Sequence, residues 1–152
     1  QCQALMFGSA MRSFLVTNVL VYADAGDEPV KQTAAIALIS RLRREGAGVI
    51  STQVLQEFAN VALRKLRLPP ALVRERLSFY AGFDVARNSP ELIQSALDLH
   101  IAHGLAFYDA LIVQAALDSG CQQLWSEDLQ TGRLLGKLVI ANPFASGPVS
   151  PM

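Results

Sequence analysis

The chain has 152 residues, 51% of them hydrophobic and 17% charged, and its thirteen basic side chains balance thirteen acidic ones. That length suits one compact domain whose core needs no disulfide or metal staple, and the apolar share excludes a disordered chain. The charge balance excludes a protein that holds nucleic acid by a strong whole-molecule field, so any such contact has to be local.

No apolar run approaches the roughly 18 residues of a membrane-spanning helix, which predicts a soluble protein without a membrane partner. Cys2 and Cys121 are too few for a disulfide framework and lack the spacing of a zinc site. They suit a reducing, cytoplasmic setting. The first ten residues, QCQALMFGSA, show neither a helical nor a strand period and read as a leader before a native start at Met11. The end, NPFASGPVSPM, is rich in Pro, Gly and Ser and reads as a loose tail, with the domain closing at Phe144.

Between these ends strands and helices alternate. Ser13 to Val16 is a short apolar strand, and the chain turns from Asn18 into a helix. Pro29 to Glu45 carries Val30, Ala34, Leu38, Ile39 and Leu42 at helical spacing, with Pro29 suited to a first turn and EGAG ending the helix. Gly48 to Ile50 forms a second buried strand. Ser51-Thr52 then cap a helix whose inward face takes Leu55, Phe58, Ala59 and Ala62. Pro69-Pro70 open another helix through Tyr80, and Phe83 to Ala86 is a third strand. Ser89-Pro90-Glu91 supply cap, first-turn proline and first-turn acid for a helix through His103. Phe107 to Ser119 is helical and Gly120 stops it; Gln122 to Trp125 and Leu138 to Ala141 are two more strands. Short apolar strands separated by helices imply an α/β fold with a central parallel sheet covered on both faces.

Ligands of such sheets bind beyond the carboxyl ends of the strands. Glu57, in the helix after the second strand, Asp109, opening FYDALIVQAAL, and Glu127-Asp128, after the strand ending at Trp125, can all face that rim. Gathered there, they form an oxygen-ligand set for Mg²⁺ or Mn²⁺, ions that drive phosphodiester hydrolysis by activating water and neutralising charge. Taken singly, each acid is equally a helix-terminus stabiliser, and spacing alone does not close the cluster. Arg64, Lys65 and Arg67 follow the Glu57 helix and are candidates for RNA phosphates, or a solvated helix end. Arg41, Arg43 and Arg44 carry the same ambiguity. Phe107 and Tyr108 offer a base-stacking surface, though core packing is the ordinary use of such residues. His100 and His103 lie near one helical face without an HExxH pattern, and Cys121 reads as buried.

Three stretches, FLVTNVLVYA, STQVLQEFANVALRK and FYDALIVQAALDSGCQQLWSEDLQTG, in that order, resemble the PIN-domain family, most closely toxin ribonucleases of VapC type. The resemblance spans about Phe14 to Phe144. It implies a three-layer α/β/α sandwich, one or two Mg²⁺ or Mn²⁺ ions, cleavage of single-stranded or loop RNA, a homodimer and a cognate antitoxin. The family's ligand set of four acids carries over to Glu57, Asp109 and Asp128 as catalytic metal ligands, while the first acid falls on Val16. Thr17 and Asn18 then act as auxiliary residues orienting ligands or water, and Glu127 is auxiliary to Asp128. The valine fits a strand and spares the fold. It removes an oxygen ligand from a cation that demands near-ideal geometry, so the resemblance implies impaired metal binding and cleavage. Deliberate inactivation and natural decay both produce such a residue. The alternative reading is a catalytically inactive PIN-like module that binds antitoxin or RNA; a small phosphatase using the same rim is a third.

Overall fold

A computed structural model describes residues 11–145; the leader read at residues 1–10 and all but the first residue of the tail at 145–152 lie outside the described residues. Six strands, β1 (Ser13–Leu15), β2 (Gly48–Ser51), β3 (Asp84–Ala86), β4 (Gln123–Trp125), β5 (Leu134–Leu135) and β6 (Leu138–Ala141), form one sheet in the order β3-β2-β1-β4-β6-β5. All neighbours are parallel except β5, which pairs antiparallel with β6. Six helices accompany the sheet: α1 (Thr17–Tyr22), α2 (Pro29–Glu45), α3 (Thr52–Arg64), α4 (Pro70–Tyr80), α5 (Pro90–His103) and α6 (Phe107–Asp118). The expected α/β/α architecture holds, with one addition. Two residues, Leu134–Leu135, carry too little pattern to be read as a strand, and their pairing across the turn at Gly136 makes the sheet mixed.

Local signals set the helix ends. Ser51 Oγ accepts from Val54 N and Ser89 Oγ from Leu92 N, the N-caps expected from those residues. Gly46 closes α2 at φ 65°, a conformation that costs glycine little, and its amide caps the helix through the carbonyls of Arg43 and Leu42. At Gly48 a side chain would collide with the Phe83 ring, which lies against the start of β2.

Phe14, Leu15, Val49, Ile50, Leu124, Leu138 and Ile140 are fully or almost fully buried, as strands covered on both faces require. Each such side chain contributes about 1.5–3 kcal/mol of burial. Two inward faces differ from expectation. On α2, Val30 stands 81% exposed in the first turn and Ala35 takes a buried place. On α3, Leu55 and Ala59 are half-buried while Gln53, Val54, Phe58 and Ala62 are buried, which rotates the face and brings a glutamine inside. The Asn142–Phe144 stretch, read as tail, packs: the Phe144 ring meets Tyr22 edge-on at 4.9 Å. Among the described residues no single helix is long and apolar enough to cross a membrane.

Candidate active site

The strand order changes direction between β1 and β4, the place where open α/β sheets leave a crevice. A cleft of about 700 Å³ opens there, lined by Val16, Thr17 and Asn18 after β1, Gln53 and Glu57 on α3, Tyr108 and Asp109 on α6, and Ser126 and Asp128 after β4. The three acids expected to converge thus share one pocket. Val16 lies in its floor at 9% exposure, as the N-cap of α1 with no side-chain cap bond. An apolar residue is a poor N-cap, and an Asp there would both cap the helix and face the other acids.

The polar contacts fall into three groups around the acids. Thr17 Oγ1 donates to Glu57 Oε1 at 2.5 Å, and Gln53 Nε2 donates to Glu57 Oε2 at 3.1 Å. Asn18 Nδ2 donates to Asp128 Oδ2 at 3.0 Å, while Asn18 Oδ1 is buried without a partner. Ser126 Oγ accepts from the amides of Asp128 and Leu129, closing the turn that presents Asp128. Glu127 turns the other way: Lys31 Nζ donates to its Oε2 at 2.8 Å and to Tyr22 Oη at 3.3 Å.

Electrostatics mark the same place. Burial pushes the Asp109 carboxyl above its ordinary value, and the nearby charges of Asp128 and Glu57 push it further. The cleft also takes Asp24, Asp27 and Glu28 on its outer wall, against Lys65 as a lining cation. Arg76 grips Asp24 through two nitrogens and neutralises it. Carboxylates gathered this densely repel an RNA phosphate unless positive charge is added.

The donor set is all oxygen and therefore suits a hard cation. Among the described residues, however, no group of three or more His, Cys, Asp or Glu side chains is arranged to hold an ion. Thr17, Gln53 and Asn18 occupy oxygens of Glu57 and Asp128, and Val16 brings none. The chemistry of the oxygen donors fits Mg²⁺ or Mn²⁺.

Other candidates fall elsewhere. Of Arg64, Lys65 and Arg67, Lys65 alone lines the cleft. Arg43 packs over Phe79 and Phe83, each 5.9 Å from the ring centre. Core packing is wrong for Tyr108, which is 67% exposed at the cleft edge; Phe107 is half-buried beneath it. His100 Nδ1 contacts the Leu105 carbonyl, away from the acids. Cys121 is buried, and burial raises its thiol to about 11. Sequence reasoning missed Gln53, although its position four residues before Glu57 places both on one helical face. It also missed Lys31 as the partner of Glu127, since 96 positions separate them.

A parallel-stranded α/β domain with an acid-lined cleft at its switch point is the architecture these observations define. The PIN domain family matches residues 13–134, and the chain belongs to that family. No curated protein sequence matches it. Among solved structures it is similar to a toxin–antitoxin complex from Klebsiella pneumoniae, at 17% identity and a TM-score of 0.65, covering 86% of this chain and 97% of that one. It is also similar to VapC20 of Mycobacterium tuberculosis, a toxin that cleaves the sarcin–ricin loop (19%, TM-score 0.60, covering 76% and 91%). A third is VapBC2 of Rickettsia felis bound to a promoter DNA fragment (18%, TM-score 0.60, covering 86% and 97%). At these identities the likeness is one of fold.

Proposed function

We propose that this chain is built as a metal-dependent endoribonuclease of PIN type, the toxin of a toxin–antitoxin pair, whose activity is impaired by Val16. The observation that carries the reading is the meeting of Glu57, Asp109 and Asp128 in one cleft, close enough for two of them to raise the Asp109 carboxyl. Mg²⁺ or Mn²⁺, when bound, would neutralise substrate charge and activate water. Glu57, Asp109 and Asp128 would hold it. Thr17 and Gln53 orient the Glu57 carboxylate, Asn18 orients that of Asp128, and Ser126 fixes the turn beneath. Lys65 supplies a phosphate contact at the rim, with Arg64 and Arg67 beyond it, and Glu127 anchors its turn through Lys31. Membership of the family and the toxin–antitoxin assemblies among its structural neighbours support an antitoxin partner; a homodimer and a cytoplasmic setting are part of the same proposal.

A second reading is favoured by Val16 itself: a PIN-like module that binds antitoxin or RNA without cutting. Restoring the acid separates the two. Under the nuclease reading Val16→Asp gains Mg²⁺-dependent cleavage of single-stranded RNA over the parent chain. Silence in both, with folding intact, leaves the binding module; turnover of phosphomonoesters but not RNA would indicate a phosphatase.

A further inference from the structure

Gln53 is a buried polar side chain on an otherwise apolar helix face, 7% exposed beside Val54, Phe58 and Ala62. Such a group is costly unless bonded, and its bonds here are specific. Its Nε2 donates both to Glu57 Oε2 at 3.1 Å and to the backbone carbonyl of Tyr108 at 3.3 Å. A primary amide has two N–H groups, so one nitrogen serves both acceptors. Its Oε1 accepts from Asn88 Nδ2 at 3.4 Å, in the segment between β3 and α5. With Oε1 committed to Asn88, the amide has one orientation, nitrogen toward the acids.

The two acceptors belong to different elements. Glu57 is on α3; Tyr108 precedes Asp109 in the first turn of α6. We propose that Gln53 is a positioning residue that sets the separation of Glu57 and Asp109 by joining the Glu57 carboxylate to the α6 N-terminus through one amide. The inference rests on the nuclease reading for its functional consequence, since the two joined acids are the proposed ligands, but the joint itself is a matter of geometry. Thr17 holds the opposite oxygen of Glu57, so loss of Gln53 frees the carboxylate to pivot about Oε1 and releases the Asp109 turn.

The test uses the full chain carrying Val16→Asp, with and without Gln53→Met, which keeps the volume and removes both donors. Mn²⁺ affinity is read from the EPR signal of the free ion, and single-stranded RNA affinity in EDTA from fluorescence anisotropy. The expected result is about a 10-fold loss of Mn²⁺ affinity in Gln53→Met with unchanged RNA affinity. Crystal structures of the parent and Gln53→Met should show the Glu57-to-Asp109 separation altered. Should Gln53→Met fail to fold, Gln53→Leu replaces it, since it also removes both donors and adds no charge. An unchanged separation overturns the proposal, as does unchanged Mn²⁺ affinity. If Val16→Asp itself takes up no Mn²⁺, the nuclease reading fails instead, and the crystallographic separation alone decides for or against Gln53.

Discussion

Thr17 Oγ1 and Glu57 Oε1 stand 2.5 Å apart across 40 positions of chain, and this bond fastens the residue following Val16 to the acid on α3. It makes the end of β1 and the middle of α3 one unit. Thr17→Val, which keeps the shape and deletes the donor, is expected to cost about 1 kcal/mol by urea unfolding. In the Val16→Asp background it should also weaken Mg²⁺ binding about 10-fold, whereas Thr17→Ser should retain it. Equal affinities for valine and serine would show that the hydroxyl does not orient the acid.

Val16→Asp has two opposed effects on stability. It supplies the missing cap of α1, and it brings a fourth carboxylate toward Glu57, Asp109 and Asp128. A divalent ion removes the second effect. With Mg²⁺ at about 100 times its dissociation constant, binding to the folded state adds about 2.7 kcal/mol, so the variant's Tm should rise by several degrees between EDTA and Mg²⁺. The parent should move much less. Calorimetric scans of both proteins measure this, and an identical Mg²⁺ response would sink the assignment of Val16 to the ligand position.

Asp109 supplies a pH dependence with a definite sign. Its carboxyl is raised, first by burial and then by Asp128 and Glu57, so in the acid range the folded chain holds a proton that the unfolded chain releases. Stability therefore falls as pH climbs from the ordinary Asp value, about 4, through the raised folded value. Asp109→Asn should remove that slope and be the more stable protein at neutral pH in the absence of metal. Its advantage should vanish below pH about 4. A variant less stable than the parent at pH 7 would contradict the crowding of charge at this site.

Neighbouring acids should behave unlike each other. Asp128 faces the cleft, whereas Glu127 is bonded to Lys31 outside it. In the Val16→Asp background, Asp128→Asn should abolish Mg²⁺-dependent cleavage and Glu127→Gln should leave it within a few-fold. Because the Lys31–Glu127 pair is partly exposed, its loss should cost no more than about 1 kcal/mol. Cleavage assays beside urea unfolding read both quantities, and the reverse ranking would exchange their roles.

Arg76 and Asp24 form an ion pair through two guanidinium nitrogens at the cleft, with Asp24 only 9% exposed at its side chain. Arg76→Ala leaves that carboxylate buried and unpaired, and is expected to cost about 3 kcal/mol. High salt should reduce the loss only in part, since the Asp24 carboxylate is largely enclosed while Arg76 reaches solvent. A deficit under 1 kcal/mol in urea unfolding would mean that Asp24 is freely hydrated.

Residue patterns close in the chain were enough to place five of the six strands and all six helices, because caps, prolines and apolar spacing act over a few positions. The same patterns allowed Glu57, Asp109 and Asp128 to face one rim, since helices between parallel strands begin there, but did not close the cluster. They misjudged Val30 and Tyr108, which sit in the first turns of their helices, and Leu55 and Ala59, which lie beside the face of α3 that is buried. Asn142–Phe144 was read from composition as tail, yet Phe144 finds Tyr22 as a partner.

The order of elements, the acids and Val16 belong to the linear chain. What folding alone decided is which oxygens are already engaged: Thr17 and Gln53 on Glu57, Asn18 on Asp128, Lys31 drawing Glu127 away. The reason is physical. Helical and strand periods are short-range, whereas a hydrogen bond forms wherever two groups come within about 3 Å, and only the packed sheet brings residues as distant as Asn18 and Asp128 to that range.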